Sequence, residues 1–149
     1  MSTEHNKVVV RRYFEGDRDG RDNTAVWDEI CDPNLVVMGA GLPEPVRGLD
    51  AVKQFTIGMH SAFSNFGLTV DDLIAEGDRV AARWTMRGTH TAPLALPGLS
   101  LPATGQQITV SGMSFCRVAD GKLVEELVQG DWMGMMAQLG ALPGPGQAA

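Results

Sequence analysis

An α+β domain, helices first and a curled antiparallel sheet after them, is the fold class this sequence predicts. In the first third, apolar residues recur at helical spacing in three segments. From Leu68 onwards the pattern changes to two-residue alternation in long segments. Those segments are joined by short turns rich in Gly and Asp, the chemistry of hairpins. Runs of helix followed by runs of strand make an α+β plan, whereas regular alternation would make a parallel α/β sheet.

Taken in order, residues 5 to 18 place Val9, Val10, Tyr13 and Phe14 on one helical stripe, and GDRDGRDN then reads as a loop. From Thr24 a shorter helix aligns Trp27, Ile30 and Cys31 until Asp32-Pro33 ends it, and Leu35 to Met38 reads as a short strand. GAGLPEPVRG is a loop. Asp50 is the expected cap of a third helix carrying Val52, Phe55, Met59, Ala62 and Phe66, with Gly67 as its stop. Strands are expected over Leu68 to Ala75, Arg79 to Thr91, Gln107 to Val118 and Lys122 to Gly130, antiparallel throughout. Between the middle pair, Ala92 to Gly105 is long for a loop in a compact domain, and its leucines suggest a rim or lid. Asp131 can cap a last helix from Trp132 to Leu139, which Gly140 stops. The single domain is placed at residues 5–142, with 143–149 as a flexible tail.

A chain of 149 residues is long enough for one core and one pocket. Its formal charge of -6 argues against a nucleic-acid partner, which requires clustered Lys and Arg. The polar start MSTEHNK leads into no long apolar run, so neither signal peptide nor membrane span is expected, and a cytoplasmic location follows by default. Cys31 and Cys116 stand far apart without a CxxC pair, which speaks for buried thiols and against a disulfide framework or a zinc site. No metal and no organic cofactor is expected, since no motif for either is present.

The strand that ends in Asp131 and runs into a short helix closing with QLG, together with GTHT at Gly88–Thr91, ATG at Ala103–Gly105 and DGK at Asp120–Lys122, resembles the SnoaL-like polyketide cyclase family of the nuclear-transport-factor-two-like superfamily. The resemblance implies a cone-shaped barrel of curled antiparallel sheet with three N-terminal helices and a short C-terminal helix, a polyketide substrate, and pairing into a homodimer through the outer sheet face. It also exposes departures. Aldol-condensing members place an acid/base aspartate and an assisting histidine where this chain has Val128 and Ser114. The Asp-Arg-Asp set of the limonene epoxide hydrolases, on the same fold, would fall near Trp84, Met86 and Val128.

Alternation puts Val80, Ala82, Trp84, Met86, Gly88 and His90 on one side of their strand, and the charges of Arg83 and Arg87 mark the other as outer. In the next strand Gly112, Ser114 and Cys116 are expected inside, so large residues face small ones and leave a cavity. Tyr13, His90, Ser114 and Glu126 are the candidate catalytic groups. Met38, Met59, Trp84, Met86, Cys116, Val128 and Met135 are the candidate substrate contacts, because methionine and tryptophan line adaptable apolar surfaces. Alternatives stand beside each polar choice: His90 as the fastening of the long loop, Asp131 as a helix cap, Tyr13 as core, and Glu125 rather than Glu126 as the inward carboxylate. A carboxylate inside such a pocket would have its pKa raised by desolvation and could act as general acid or base. The function expected is a cofactor-independent cyclase closing a ring in a large apolar polyketide by shape-templated cycloaddition. A ring hydroxylase or its partner, and a non-catalytic carrier of an apolar metabolite, are the alternatives.

Overall fold

The computed structural model describes residues 2–17, 23–39, 41–96 and 98–142. Helix α1, Thr3–Glu15, is capped by Ser2, whose hydroxyl accepts from the His5 amide at 3.0 Å. A 3-10 turn over Asn23–Val26 leads into the short α2, Trp27–Ile30. Strands β1, Cys31–Gly39, and β2, Val46–Arg47, precede α3, Leu49–His60. Then come β3, Phe63–Glu76, and β4, Arg79–His90, followed by a small hairpin of β5, Leu94–Leu96, and β6, Leu99–Leu101. Strands β7, Gln107–Ala119, and β8, Lys122–Gly130, lead to α4, Trp132–Gln138.

Six strands form one sheet in the order β2-β1-β8-β7-β4-β3. It curls around its buried face without closing into a barrel, and the helices pack against that face. The α+β class is as the sequence predicts, and one pairing differs. Strands β1 and β8 run parallel, so the sheet is mixed. Parallel neighbours need a crossover, and everything from β2 through α3 to β7 serves as that connection.

Several boundaries also differ from the sequence reading. Cys31, expected on the second helix, already belongs to β1, which begins four residues before the expected Leu35 because Cys31 pairs with Leu123 of β8. Helix α3 is capped at Gly48, whose φ of 91° suits glycine alone, and Asp50 lies within the first turn. The same helix ends at His60, because Phe63 and Ser64 pair with His90 and Thr89 of β4 and so belong to the sheet. Ala62 and Phe66 therefore leave the helical stripe, and β3 starts five residues earlier than alternation alone suggested. The long segment after β4 contains the β5–β6 hairpin, whose Leu94 is fully buried. The tail 143–149 and residues 18–22 of the first loop lie outside the described residues.

Strand β4 follows the predicted alternation: Val80, Ala82, Trp84, Met86 and His90 are buried. Strand β8 does not keep a single parity. Arg117 pairs with Glu125 and Val118 with Leu123, so Val124 is an extra residue, a β-bulge. The bulge lets both Leu123 and Glu126 face inward, although they stand three positions apart. It settles the choice between the neighbouring glutamates: Glu126 is 5% exposed, while Glu125 lies near Arg79 and Arg117 on the outer face.

Candidate functional site

At the centre of the curled face lies a cavity of about 100 Å³. Its walls are almost wholly apolar, among them Trp27, Val37, Phe55, Met59, Trp84, Met86, Val128 and Trp132, and one carboxylate, Glu126, reaches it. Helix α1 brings Tyr13 against that carboxylate, and the phenol donates to Glu126 Oε1 at 2.8 Å. Strand β7 brings Ser114, which donates to Oε2 at 2.6 Å. Ser114 Oγ in turn accepts from the Trp84 indole Nε1 at 3.0 Å. The donors form a directed chain, Trp84 to Ser114 to Glu126, closed from the other side by Tyr13.

Each member is held by its neighbours. The Tyr13 ring stacks on Trp27 with centroids 4.5 Å apart, and the Trp27 indole donates to the Tyr13 carbonyl at 3.0 Å. Trp84 lies over Gly112, where a Cβ would come within 2.3 Å of the ring. The predicted pairing of a bulky residue with a small one across β4 and β7 is thus what seats the indole against Ser114.

The electrostatics follow from burial. Desolvation raises the Glu126 carboxyl above the ordinary carboxylate range, and its hydrogen bonds from Ser114 and Tyr13 only partly oppose that. Tyr13 is driven well above the usual phenol value by its own burial first and then by the Glu126 charge, so it remains a donor. Burial and the same carboxylate push Cys116 well up and Cys31 up to about 12, which keeps both thiols protonated. Such a site can accept, hold and return one proton in apolar surroundings.

Of the four candidate catalytic residues, Tyr13, Ser114 and Glu126 are brought together. His90 is not among the residues lining the cavity. It is fully buried at the end of β4, and its Nδ1 receives the Thr104 amide at 3.2 Å and lies 2.9 Å from the Thr104 hydroxyl. It fastens the segment leading into β7. Met59, Trp84, Met86 and Val128 line the cavity, whereas Cys116 is packed behind Glu126 and Met135 borders a second chamber. Met38 lies outside both linings, because strand alternation gives the inner position to Val37 and pairs Met38 with the outward Leu127. Met113 and Met133 are exposed. Asp131 caps α4, accepting from the Gly134 amide at 2.9 Å.

His60 was not anticipated by the sequence reading. It lines the cavity and also a wider groove of about 480 Å³ beside it, and its ring stacks on Phe66 at 3.8 Å. The visible signal was its place next to Met59 at the end of the third helix. No group of three or more metal-ligating side chains occurs among the described residues. Nor is any helix there long and apolar enough to cross a membrane.

The family model described as SnoaL-like polyketide cyclase matches residues 7–139. Among solved structures, a candidate SnoaL-like polyketide cyclase from Jannaschia sp. CCS1 is 24% identical with a TM-score of 0.80, covering 95% of each chain. AclR, a candidate hydroxylase from Streptomyces galilaeus, is 26% identical with a TM-score of 0.69, covering 96% of this chain and 89% of its own. IdmH, a candidate polyketide cyclase from Streptomyces antibioticus, is 26% identical with a TM-score of 0.67, covering 94% and 99%. None of the curated proteins matches.

Proposed function

The chain belongs to the SnoaL-like polyketide cyclase family, and from that premise we propose that it closes a ring in a large apolar polyketide intermediate without a cofactor, using Glu126 as its acid/base group. The observation that carries the reading is a buried carboxylate, gripped by two hydroxyls, at a largely apolar cavity. As a carboxylate, Glu126 would take the acidic proton from a carbon between two carbonyls. The resulting enolate carbon would attack a second carbonyl of the same chain. The new alkoxide would receive the proton back from Glu126, so the product is an isomer of the substrate. Desolvation suits the group to this exchange, since a raised pKa brings proton gain and loss closer to neutral pH. Tyr13 and Ser114 keep the carboxylate aimed, and the walls hold the flexible substrate in a folded shape, which lowers the entropic part of the barrier.

The apolar character of the remaining lining favours a second reading, cycloaddition templated by shape alone. One experiment separates them. Purified protein is incubated with a linear polyketide precursor, and product mass and retention are followed for the native chain and for Glu126→Gln. General acid/base work predicts a fall of about 10²-fold or more in turnover for the variant. Unchanged turnover would instead favour cycloaddition. A product heavier by one oxygen would identify a hydroxylase, and binding without turnover a carrier.

We also infer that two copies pair through the outer sheet face. Ile74, Ala81, Phe115 and Leu127 lie in one row across β3, β4, β7 and β8, and Ile74, Phe115 and Leu127 are exposed there. A contiguous apolar patch on a sheet face is the usual mark of a partner. Phe115→Glu is expected to halve the sedimenting mass, and a native chain that sediments as a monomer would refute the pairing.

A further inference from the structure

Beside the central cavity lies a second chamber of about 200 Å³, partly open to the surface at Leu99 and lined by residues that include Leu96, Met135 and Met136. Phe55, Met59 and Trp132 line both spaces, so these three side chains are the partition between them. We propose that the second chamber receives the unfunctionalised alkyl or polyene end of the substrate, and that Trp132 sets how long that end can be. The inference deepens the proposed cyclase reading and rests on the central cavity being the substrate site.

The chemistry of the walls fixes the class of ligand. The chamber offers leucine, methionine, phenylalanine and an indole, while the groups that can exchange a proton are all in the central cavity. A polar end would lose its hydration there with little to replace it, whereas a hydrocarbon end gains from every methylene buried. Methionine adapts to irregular chains more easily than branched residues do, and Met135 and Met136 line this chamber but not the central cavity. The partition itself is built to yield. The Trp132 indole N–H is buried and donates to no described residue, so moving the ring forfeits no hydrogen bond. Its ring lies over Gly130, where a Cβ would stand 2.8 Å away, so the indole occupies space that any other residue at that position would fill. Trp84, the nearest aromatic neighbour, sits at a tilted 6.2 Å rather than in a tight stack.

The probes are linear methyl ketones, 2-hexanone, 2-octanone, 2-decanone and 2-dodecanone, titrated by calorimetry into the full chain. Native protein is expected to gain affinity roughly fourfold per added methylene through 2-dodecanone. In Met136→Trp, or in Leu96→Trp should the first variant lose its far-UV circular dichroism, the gain should stop near 2-octanone while 2-hexanone binds as before. Trp132→Phe, with a smaller partition, should tighten 2-dodecanone several-fold more than it changes 2-hexanone. If the filled variants follow the native series to its end, or if Trp132→Phe shifts short and long ketones alike, the inference is wrong and the central site stands. If 2-hexanone itself does not bind, the central cavity is not the substrate site and both readings fall.

Discussion

Removing the Tyr13 hydroxyl tests the electrostatics of the site through stability, independently of any substrate. In Tyr13→Phe the ring should keep its stack on Trp27 at 4.5 Å, and Glu126 Oε2 should keep Ser114, so the change is confined to one donor on Oε1. A hydrogen bond to an ionised acceptor contributes about 1.5–3 kcal/mol, and one to a neutral acceptor about 0.5–1.5 kcal/mol. The cost of the substitution therefore depends on whether Glu126 is charged. Because the folded-state pKa of Glu126 lies above its unfolded value, the native chain binds the extra proton, and stability declines as pH rises from the ordinary carboxylate range to the raised value. Loss of the Tyr13 donor should raise that pKa further and steepen the decline.

Urea unfolding of both proteins at a series of pH values reads this directly. The difference between them is expected to be about 1 kcal/mol below the titration of Glu126 and to grow to about 2 kcal/mol above it. A difference independent of pH would show that the phenol does not act on the carboxylate, and the charge-based account of the site would fail. Glu126→Gln provides the control, since it should abolish the pH-dependent part of the decline.

Other substitutions test the supports. Ser114→Ala leaves the Trp84 indole N–H and Glu126 Oε2 without partners and should cost about 2 kcal/mol or more in chemical unfolding; a neutral result would mean the site rearranges freely. Gly112→Ala drives a methyl into the Trp84 ring, so a destabilisation of about 1–3 kcal/mol and a shift of tryptophan emission are expected, and unchanged emission would contradict the packing. Asp131→Ala removes only a helix cap, which predicts a loss of about 1 kcal/mol, or about 2–4 °C in Tm, with turnover retained; a large loss of turnover would give Asp131 a role in the chemistry.

Much of this arrangement was legible in the residues. The inner face of β4 followed from Arg83 and Arg87 marking the outer one, and the cap at Asp131 followed from its place before an apolar run. What stayed hidden depends on pairing between distant segments. The parallel match of β1 with β8 is not encoded in either strand's own pattern. The end of α3 at His60 is set by Phe63 pairing with His90, and periodicity carried the helical stripe past it because Ala62 and Phe66 happen to continue the spacing. The inward aim of Glu126 keeps the parity of Val128, but the inward Leu123 lies across the bulge at Val124, and that break in alternation is set by the partners Arg117 and Val118 take on β8. Met38 was misplaced by one residue for the simplest reason in a strand, that its neighbour Val37 takes the inner side.

The departures from the family's pattern acquire a physical sense once the register is known. Val128, where aldol-condensing relatives have their aspartate, pairs with Ser114, where they have a histidine. Glu126 is two residues earlier on the same strand, one inward position along, a displacement of about 7 Å. It pairs across with Cys116 rather than Ser114, yet its longer side chain still meets the Ser114 hydroxyl at 2.6 Å. The apolar lining inferred from Val128 was therefore correct at that position and incomplete for the cavity as a whole. The described partners of the Glu126 carboxylate are two hydroxyls, of which the Tyr13 phenol stays protonated, so in the proposed reaction the proton that Glu126 takes is the one it returns to the substrate. That constraint favours an isomerising ring closure over a hydrolysis, and it predicts a turnover–pH profile with one ionisation on its acidic limb. A second limb would point to another proton-exchanging group in the cavity lining.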